Sequence, residues 1–269
     1  MSAASPASTV LAFARESRRA GAAAPRPVDL AIVVPTRNEA GNIAELVRQV
    51  ARALEGVDWE MLVVDDDSSD GTAAQVTELH RWQPRVRVLR RIGRRGLASA
   101  CVEGMLATPA RYLAVIDADL QHDPALLRCM HASLRQGNDL VVASRYTGGG
   151  SIGQWSAGRA HLGRLGNALA RLCTGTTLSD PMSGYFALRR DVLDGCAHRL
   201  SGNGFKILLE LVACAGPGLA VDELPYTFGT RLHGQSKLRP RVLAQALWLL
   251  ARAGLRRLGG RPAPVPAGP

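Results

Sequence analysis

Tyr112-Leu-Ala-Val-Ile-Asp117-Ala-Asp119-Leu-Gln121-His122-Asp123 is the stretch that decides the fold. It opens as a short, unbroken apolar run, the pattern of a strand buried on both faces of a parallel sheet. It ends in two carboxylates one residue apart. In an extended chain residues i and i+2 project to the same side, so the spacing predicts that Asp117 and Asp119 converge on one point. Gln121 continues the period and adds a neutral oxygen. Hard oxygen ligands at the carboxyl end of a central strand suit Mg2+ or Mn2+ carrying a diphosphate, which supplies the remaining ligands. A solvated acidic turn would use the same residues, so their surroundings must decide.

Working outward, residues 29–35 form an apolar strand, followed by a polar loop, Thr36-Arg37-Asn38-Glu39, and a helix near 42–55. Residues 60–67 repeat the pattern and end in Asp65, Asp66 and Asp67. A turn at 68–72 leads into a helix near 72–82, with Asp70 or Thr72 available as caps. A strand at 85–89 and a helix at 96–107 precede the Asp117 strand. Pro124 then opens another helix, Asp123 serving only at its N-terminus, and residues 139–144 form a fifth strand. Strands alternating with helices at this spacing predict a doubly wound, mostly parallel α/β sheet, with ligands bound beyond the carboxyl ends of the strands. Pro35 to Glu39, Asp65 to Asp67, Asp117 to Gln121 and Ser144-Arg145-Tyr146 all fall at such ends. Beyond them the pattern predicts a helix at 155–173 and a turn with a short strand at 180–189. A helix from 205 carries Lys206 and Glu210 four residues apart, an intrahelical pair by spacing, and a last strand covers 219–228.

The chain has 269 residues, room for one large α/β domain, and a formal net charge of +10. The excess is uneven: no Asp or Glu follows Glu223, while Arg231, Lys237, Arg239, Arg241 and further arginines do. That bias suggests an anionic partner, and no nucleic-acid-binding motif accompanies it. Lys206 and Lys237 are the only lysines. Five scattered cysteines (101, 129, 173, 196 and 214) without a Cys-x-x-Cys pair read as mostly buried, reduced thiols in a reducing compartment. Residues 1–27 read as a disordered tail, 28–239 as the catalytic domain, 240–258 as an amphipathic helix and 259–269 as a second disordered tail. No apolar stretch approaches the roughly 20 residues that span a bilayer.

Seven segments carry a family resemblance: Val34-Pro35-Thr-Arg-Asn-Glu39, Val64-Asp-Asp66-Asp-Ser-Ser-Asp-Gly-Thr, Asp117-Ala-Asp-Leu-Gln-His, Ser144-Arg-Tyr, Asp180-Pro-Met-Ser-Gly, Gly204-Phe-Lys-Ile-Leu-Leu-Glu210 and Arg231-Leu-His-Gly-Gln-Ser-Lys237-Leu. In that order, across roughly 28–240, the chain resembles the family-two glycosyltransferases of GT-A fold, and among them the polyprenyl-phosphate mannose synthases. The first two segments signal the broad family; the later ones are more specific. The resemblance implies GDP-mannose as donor and a polyprenyl phosphate as acceptor, with inversion at the anomeric carbon. It implies nucleoside contacts from Pro35, Arg37 and Glu39, and Val64 and Asp66 near the base and ribose. Ala118 would touch the donor through its backbone, and Asp117, Asp119 and Gln121 would surround the metal. Lys206, Arg231 and Lys237 would complete the donor side. Arg37 stands where the family usually has Tyr or Phe, so guanidinium stacking replaces an aromatic stack.

The chemistry asks for cations more than for a base. A phosphate monoester has a second pKa of about 6, so it is already a good nucleophile near neutral pH and needs mainly to be held against repulsion. Arg145, Arg159 and Arg231 are the candidate acceptor clamps, with Lys237 as a compact charge. Asp119, Arg145, Arg231 and Lys237 are the expected catalytic set. Helix 240–258 carries Leu243, Leu247, Leu250 and Leu258 on one face and Arg241, Gln245, Arg252 and Arg256 on another. It could lie at the cytoplasmic membrane surface or simply pack on the domain. Rival readings are another nucleotide sugar, such as UDP-glucose or a modified pentose donor, with the same acceptor, or a silent lipid-phosphate-binding protein. A processive polysaccharide synthase is disfavoured, because no Gln-x-x-Arg-Trp motif follows the core.

Overall fold

A computed structural model of the chain describes residues 28–151, 153, 157–202, 204, 206–216 and 218–229. The expected tails, helix 240–258, Arg231 and Lys237 lie outside the described residues.

The described chain alternates β1 (Leu30–Thr36), α1 (Ala40–Ala53), β2 (Trp59–Asp65), α2 (Thr72–Trp82), β3 (Val86–Arg90), α3 (Leu97–Leu106), β4 (Tyr112–Val115), α4 (Leu126–Arg135) and β5 (Leu140–Ser144). The long α5 (Ala157–Thr174), β6 (Phe186–Arg189), α6 (Arg190–Cys196), α7 (Ile207–Ala215) and β7 (Val221–Pro225) follow. The seven strands lie in the order β3-β2-β1-β4-β6-β5-β7. All neighbours are parallel except β6, which runs against both β4 and β5.

Alternation along β1 shows why the sheet is buried on both sides. Leu30, Ile32 and Val34 enter one apolar layer, and Ala31 and Val33 the other. Helix α1 places Ile43, Leu46, Val47 and Val50 on one stripe at helical spacing, which packs into the first layer. In the second layer α3 comes unusually close to the strands. A Cβ on Gly104 would sit 2.5 Å from Val33 Cγ1 and 2.8 Å from Val64 Cγ2, so only glycine permits that approach.

The antiparallel β6 positions the site. Parallel β1, β2, β4 and β5 all end at one rim, whereas β6 begins there. The Asp180-Pro-Met-Ser-Gly184 turn that feeds β6 is therefore delivered to the same rim as Asp117 and Arg145. The sequence pattern found the short strand but not its direction, and it missed helix α6. Among the described residues no helix is long and apolar enough to cross a membrane. No disulfide joins the cysteines; Cys101, Cys196 and Cys214 are buried, while Cys129 is exposed.

Candidate active site

The first two loops of the rim are laced together by backbone donors. Asn38, held at φ 58°, donates its N–H to Ser68 Oγ at 2.8 Å, and its Oδ1 accepts from Ser69 N at 3.0 Å. Glu39 N donates to Thr72 Oγ1 and Ala40 N to Asp70 Oδ2, each at 3.0 Å. Asp70 therefore braces the start of α1 as well as α2. Burial pushes its carboxyl up, but the hydrogen bonds from Thr72 and Ala40 outweigh that and leave it below the ordinary value. Pro35 is buried in β1, Glu39 accepts from Asn42 Nδ2, and Arg37 is exposed at the loop's crest.

Val64 turns its side chain into the core, fully buried between the sheet and Gly104. Asp66 stands at the rim, but both its oxygens are already engaged. Oδ1 pairs with Arg91 Nη1 at 2.6 Å, and Oδ2 accepts from Gly96 N at 2.7 Å. Arg91 is itself buried and also donates to Ser99 Oγ and Gly96 O, so Asp66 organises the loop before α3. Asp65 is turned inward onto Thr36 and Ser68. Asp67, at φ 56° and half-buried, is the third carboxylate of this turn.

The Asp117 turn also differs from the extended chain that its spacing suggests. Strand β4 ends at Val115, and residues 118–120 turn, with Leu120 at φ 61°. Strand alternation therefore does not carry from Asp117 to Asp119, and a turn separates them. Asp117 is the more open, its side chain 37% exposed, with His122 Nε2 at 3.4 Å. Asp119 is buried, and its Oδ1 accepts from Gln121 N at 3.2 Å. Ala118 packs its methyl into the core, which leaves the backbone at the rim. Gln121 is pinned to the segment after β7: its Nε2 donates to Gly229 O, and Gly229 N donates back to Gln121 O, both at 2.9 Å.

These side chains fit a divalent cation by their chemistry. Asp117, Asp119 and the Gln121 amide oxygen are hard donors on one turn, and no cluster of three His, Cys, Asp or Glu ligands exists among the described residues. An incomplete all-oxygen set suits Mg2+ or Mn2+, ions that keep water and phosphate in their coordination sphere.

Facing this turn, Arg145 and Asp180 form a bidentate pair: Nε to Oδ2 at 2.7 Å and Nη2 to Oδ1 at 2.9 Å. Asp180 is fully buried and also lies 3.5 Å from Asn167 Nδ2 of α5. Two donors of the Arg145 guanidinium, Nε and Nη2, are thus held by Asp180. Arg145 still supplies a fixed positive charge, stacked 5.7 Å from the Phe228 ring centre and 5.8 Å from that of Tyr146. Burial pulls its pKa down, but the Asp180 hydrogen bonds and charge raise it further than that. Lys206 Nζ donates to Met182 O at 3.1 Å in the turn below. Desolvation, with Arg145 nearby, lowers the lysine to about 8. It does not pair with Glu210, whose Oε1 accepts from Ser201 N at 2.6 Å. Arg159 lies in α5, but its side chain is outside the described ones.

Sequence reasoning missed the floor of this cleft. The rings of His122, Tyr185, Tyr226 and Phe228 cluster there, with His122 5.1 Å from Tyr185 and 5.6 Å from Tyr226 and Phe228. Tyr185 Oη donates to Asp123 O at 3.0 Å, whereas the buried Tyr226 hydroxyl and His122 Nδ1 have no hydrogen-bond partner among the described residues. Burial raises the Tyr226 phenol; Arg145 opposes that, and Asp180, Asp117 and Asp119 add to it, so the hydroxyl lies in the field of both halves of the cleft. His122 and Tyr185 sat within recognisable motifs, but nothing in the sequence marked Tyr226.

Residues 31–196 match the glycosyl transferase family 2 profile. A dolichol-phosphate mannosyltransferase of Pyrococcus furiosus is 37% identical over 81% of this chain, which spans 61% of that longer relative. The Saccharomyces cerevisiae dolichol-phosphate mannosyltransferase is 33% identical over 86% of this chain and 89% of its own length. A polyprenol monophosphomannose synthase of Mycolicibacterium smegmatis is 34% identical, over 84% and 86% respectively. Among solved structures, glucosyl-3-phosphoglycerate synthase of Mycobacterium tuberculosis superposes with a TM-score of 0.63 at 22% identity, covering 87% of this chain and 81% of its own. That likeness gives the GT-A fold alone. With the rim so arranged and relatives matching along most of the described domain, the chain belongs to glycosyltransferase family 2, and within it to the dolichol-phosphate mannosyltransferase family.

Proposed function

We propose that the protein transfers mannose from GDP-mannose to a polyprenyl, dolichyl-type monophosphate, inverting the anomeric configuration and using Mg2+ or Mn2+. The observation that carries this reading is the opposition of an acidic turn, Asp117 to Gln121, to a fixed arginine, Arg145, across a cleft floored by aromatic rings. The names of the three relatives supply the sugar and the lipid class.

Asp117, Asp119 and Gln121 would hold the metal, which when bound neutralises the diphosphate and stabilises the charge on leaving GDP. The chain's own residues do the rest. Gly229 holds Gln121 in place from the far side of the cleft. Asp180 fixes the Arg145 guanidinium so that its charge meets an incoming phosphate without reorganising. Arg231, Lys206 and Lys237 are assigned by their motifs and Arg159 by its spacing: Arg159 and Arg231 to the acceptor, Arg231, Lys206 and Lys237 to the donor. The dianionic acceptor oxygen then displaces GDP directly, and no side chain has to remove a proton. The enzyme is assigned to the cytoplasmic face of a membrane as a peripheral protein.

A transfer assay tests this. GDP-mannose, GDP-glucose and UDP-glucose are each offered with a short polyprenyl phosphate, with Mn2+ and with chelator. Product is expected from GDP-mannose with metal only. Preference for UDP-glucose would move the reading to a glucosyl donor, and full activity in chelator would remove the metal from it.

A further inference from the structure

We propose that Glu223 is a positioning residue for Arg145, acting through Ser179 and Ser144; the inference rests on the reading that the Arg145 charge meets the acceptor phosphate. Asp180 fixes the arginine's side chain, but Asp180 itself stands on a turn, and that turn has to be held to the sheet. Glu223 of β7 holds it. Both carboxylate oxygens accept the Ser179 N–H, each at 3.0 Å, and Oε1 also accepts from Ser179 Oγ at 2.7 Å. Ser179 directly precedes Asp180, and Ser144 directly precedes Arg145. The two serine hydroxyls lie 2.5 Å apart. The same two segments are thus tied twice, hydroxyl to hydroxyl and carboxylate to guanidinium.

Counting protons gives these bonds a direction. A hydroxyl has one proton and two acceptor sites. The Ser179 proton is committed to Glu223, so the Ser144 hydroxyl donates to Ser179. Ser144 Oγ, on a fully buried residue, then accepts from the N–H groups of Tyr146 and Thr147, each at 3.2 Å. Every donor from Thr147 to Ser179 points toward the Glu223 carboxylate, and an ionised end strengthens such a chain. Among the described residues no Arg, Lys or His forms an ion pair with Glu223. Its charge is therefore directed at the two serines.

The fold explains why the tie comes from β7. Strand β5 lies between β6 and β7, and Ser144 is its last residue. The chain of bonds joins β7 to the turn feeding β6 across the end of β5. Asn167 of α5 secures the same turn from the other side, donating to Ser179 O at 3.1 Å. Asp180 sets how the guanidinium points, and Glu223 sets where the backbone that carries it stands. A fixed charge stabilises a transition state only if it is already in place, and a displacement of about 1 Å can cost on the order of a hundredfold in rate.

The test uses the full chain, Mn2+, GDP-mannose and a short polyprenyl phosphate. Glu223→Gln keeps the shape and removes the charge, Ser179→Ala cuts the chain of bonds next to Glu223, and Ser179→Thr restores the hydroxyl. Melting is followed by circular dichroism, and all other measurements are made well below the lowest midpoint. Calorimetry without donor should show acceptor binding weakened about tenfold in Glu223→Gln and Ser179→Ala, and recovered to within about threefold of the parent in Ser179→Thr. GDP-mannose binding without acceptor should stay within about twofold in every variant. The kcat/KM for acceptor should fall in step with its binding. The double variant Glu223→Gln/Ser179→Ala should be no worse than the worse single one, because both break one chain. A lowered melting temperature with parental acceptor binding and transfer would make Glu223 a tie for the fold only and overturn the proposal. So would a loss of GDP-mannose affinity as large as the loss for the acceptor. Weaker acceptor binding in the variants, with no product from any sugar nucleotide even in the parent, would sink the functional reading and leave the positioning role standing. A parent that binds no polyprenyl phosphate would overturn both.

Discussion

The two flanks of the cleft handle charge in opposite ways. On the flank assigned to the donor, carboxylates accumulate at strand ends, but most are absorbed by local donors: Asp65 by Ser68, Asp66 by Arg91 and Gly96, Asp70 by Thr72 and Ala40. Asp117 and Asp119 stand on the turn assigned to the cation. On the flank assigned to the acceptor, forty residues pass without a carboxylate, and the first to appear, Asp180, is consumed by Arg145. One flank is rich in acids and neutralises the surplus; the other excludes acids and holds a single arginine rigid. A cleft that must seat two phosphorylated partners side by side needs both designs.

The sharpest way to break this contrast is at the acidic turn. Asp119→Ala should lower transfer on the order of a thousandfold while leaving the far-ultraviolet circular dichroism unchanged. Near-normal turnover at saturating Mn2+ would sink the metal assignment.

The arginine flank is probed through stability. Asp180→Ala takes the bidentate carboxylate from the buried Arg145 charge, and urea denaturation should register a loss of about 3–5 kcal/mol. Asp70→Ala, which removes hydrogen bonds at a more open corner, should lose only about 1 kcal/mol. Equal losses would mean that Arg145 reaches solvent more readily than its contacts indicate.

Lys206 gives a pH signature. Its folded pKa is lowered to about 8, so between there and the free-lysine value the unfolded chain binds a proton that the native chain lacks. Stability therefore rises with pH across that window, and below it the full cost of the buried charge is present. In Lys206→Met that rise should be absent, and the variant should be more stable than the parent at pH 7 by on the order of 1–3 kcal/mol. Parallel stability curves for parent and variant between pH 8 and 10.5 would show that the ammonium is well solvated.

The smallest effect is expected at the cleft floor. Tyr226→Phe removes a buried hydroxyl that has no partner among the described residues, so the substitution should be neutral or stabilising by up to about 1 kcal/mol. A clear loss of stability would mean that the hydroxyl is held by a buried water.

Much of this was legible in the sequence. Apolar runs ending in polar clusters revealed the strands, because a parallel sheet must bury both faces and expose its chemistry at the strand ends. The Asp117 segment, the polar loops at 36–39 and 68–72 and the Asp180-Pro-Met-Ser-Gly184 segment were all visible as motifs, whereas the lacing between the two loops was not. What stayed hidden depended on partners distant in sequence. Nothing near Asp66 in sequence points to Arg91, and nothing near Arg145 points to Asp180, 35 residues away. Val64 is singled out by the family resemblance alone, and strand alternation turns its side chain into the core. The direction of β6 could not be read from composition, since a four-residue apolar strand looks the same run either way.

That reversed strand also sets an order of assembly during synthesis. Strands β1, β2, β3 and β4 find their neighbours among residues already made. Strand β5 cannot: its two neighbours are β6 and β7, which emerge more than forty residues later. At ribosomal speeds of about 5–20 residues per second, β5 and the free edge of β4 wait for several seconds with their backbone groups unpaired. The acidic flank can thus form first and serve as a template, while the arginine flank closes only when β6 slides between the two waiting edges. Slower elongation over residues 145–185 would lengthen that exposure, making this span the point at which the nascent chain is most vulnerable to aggregation.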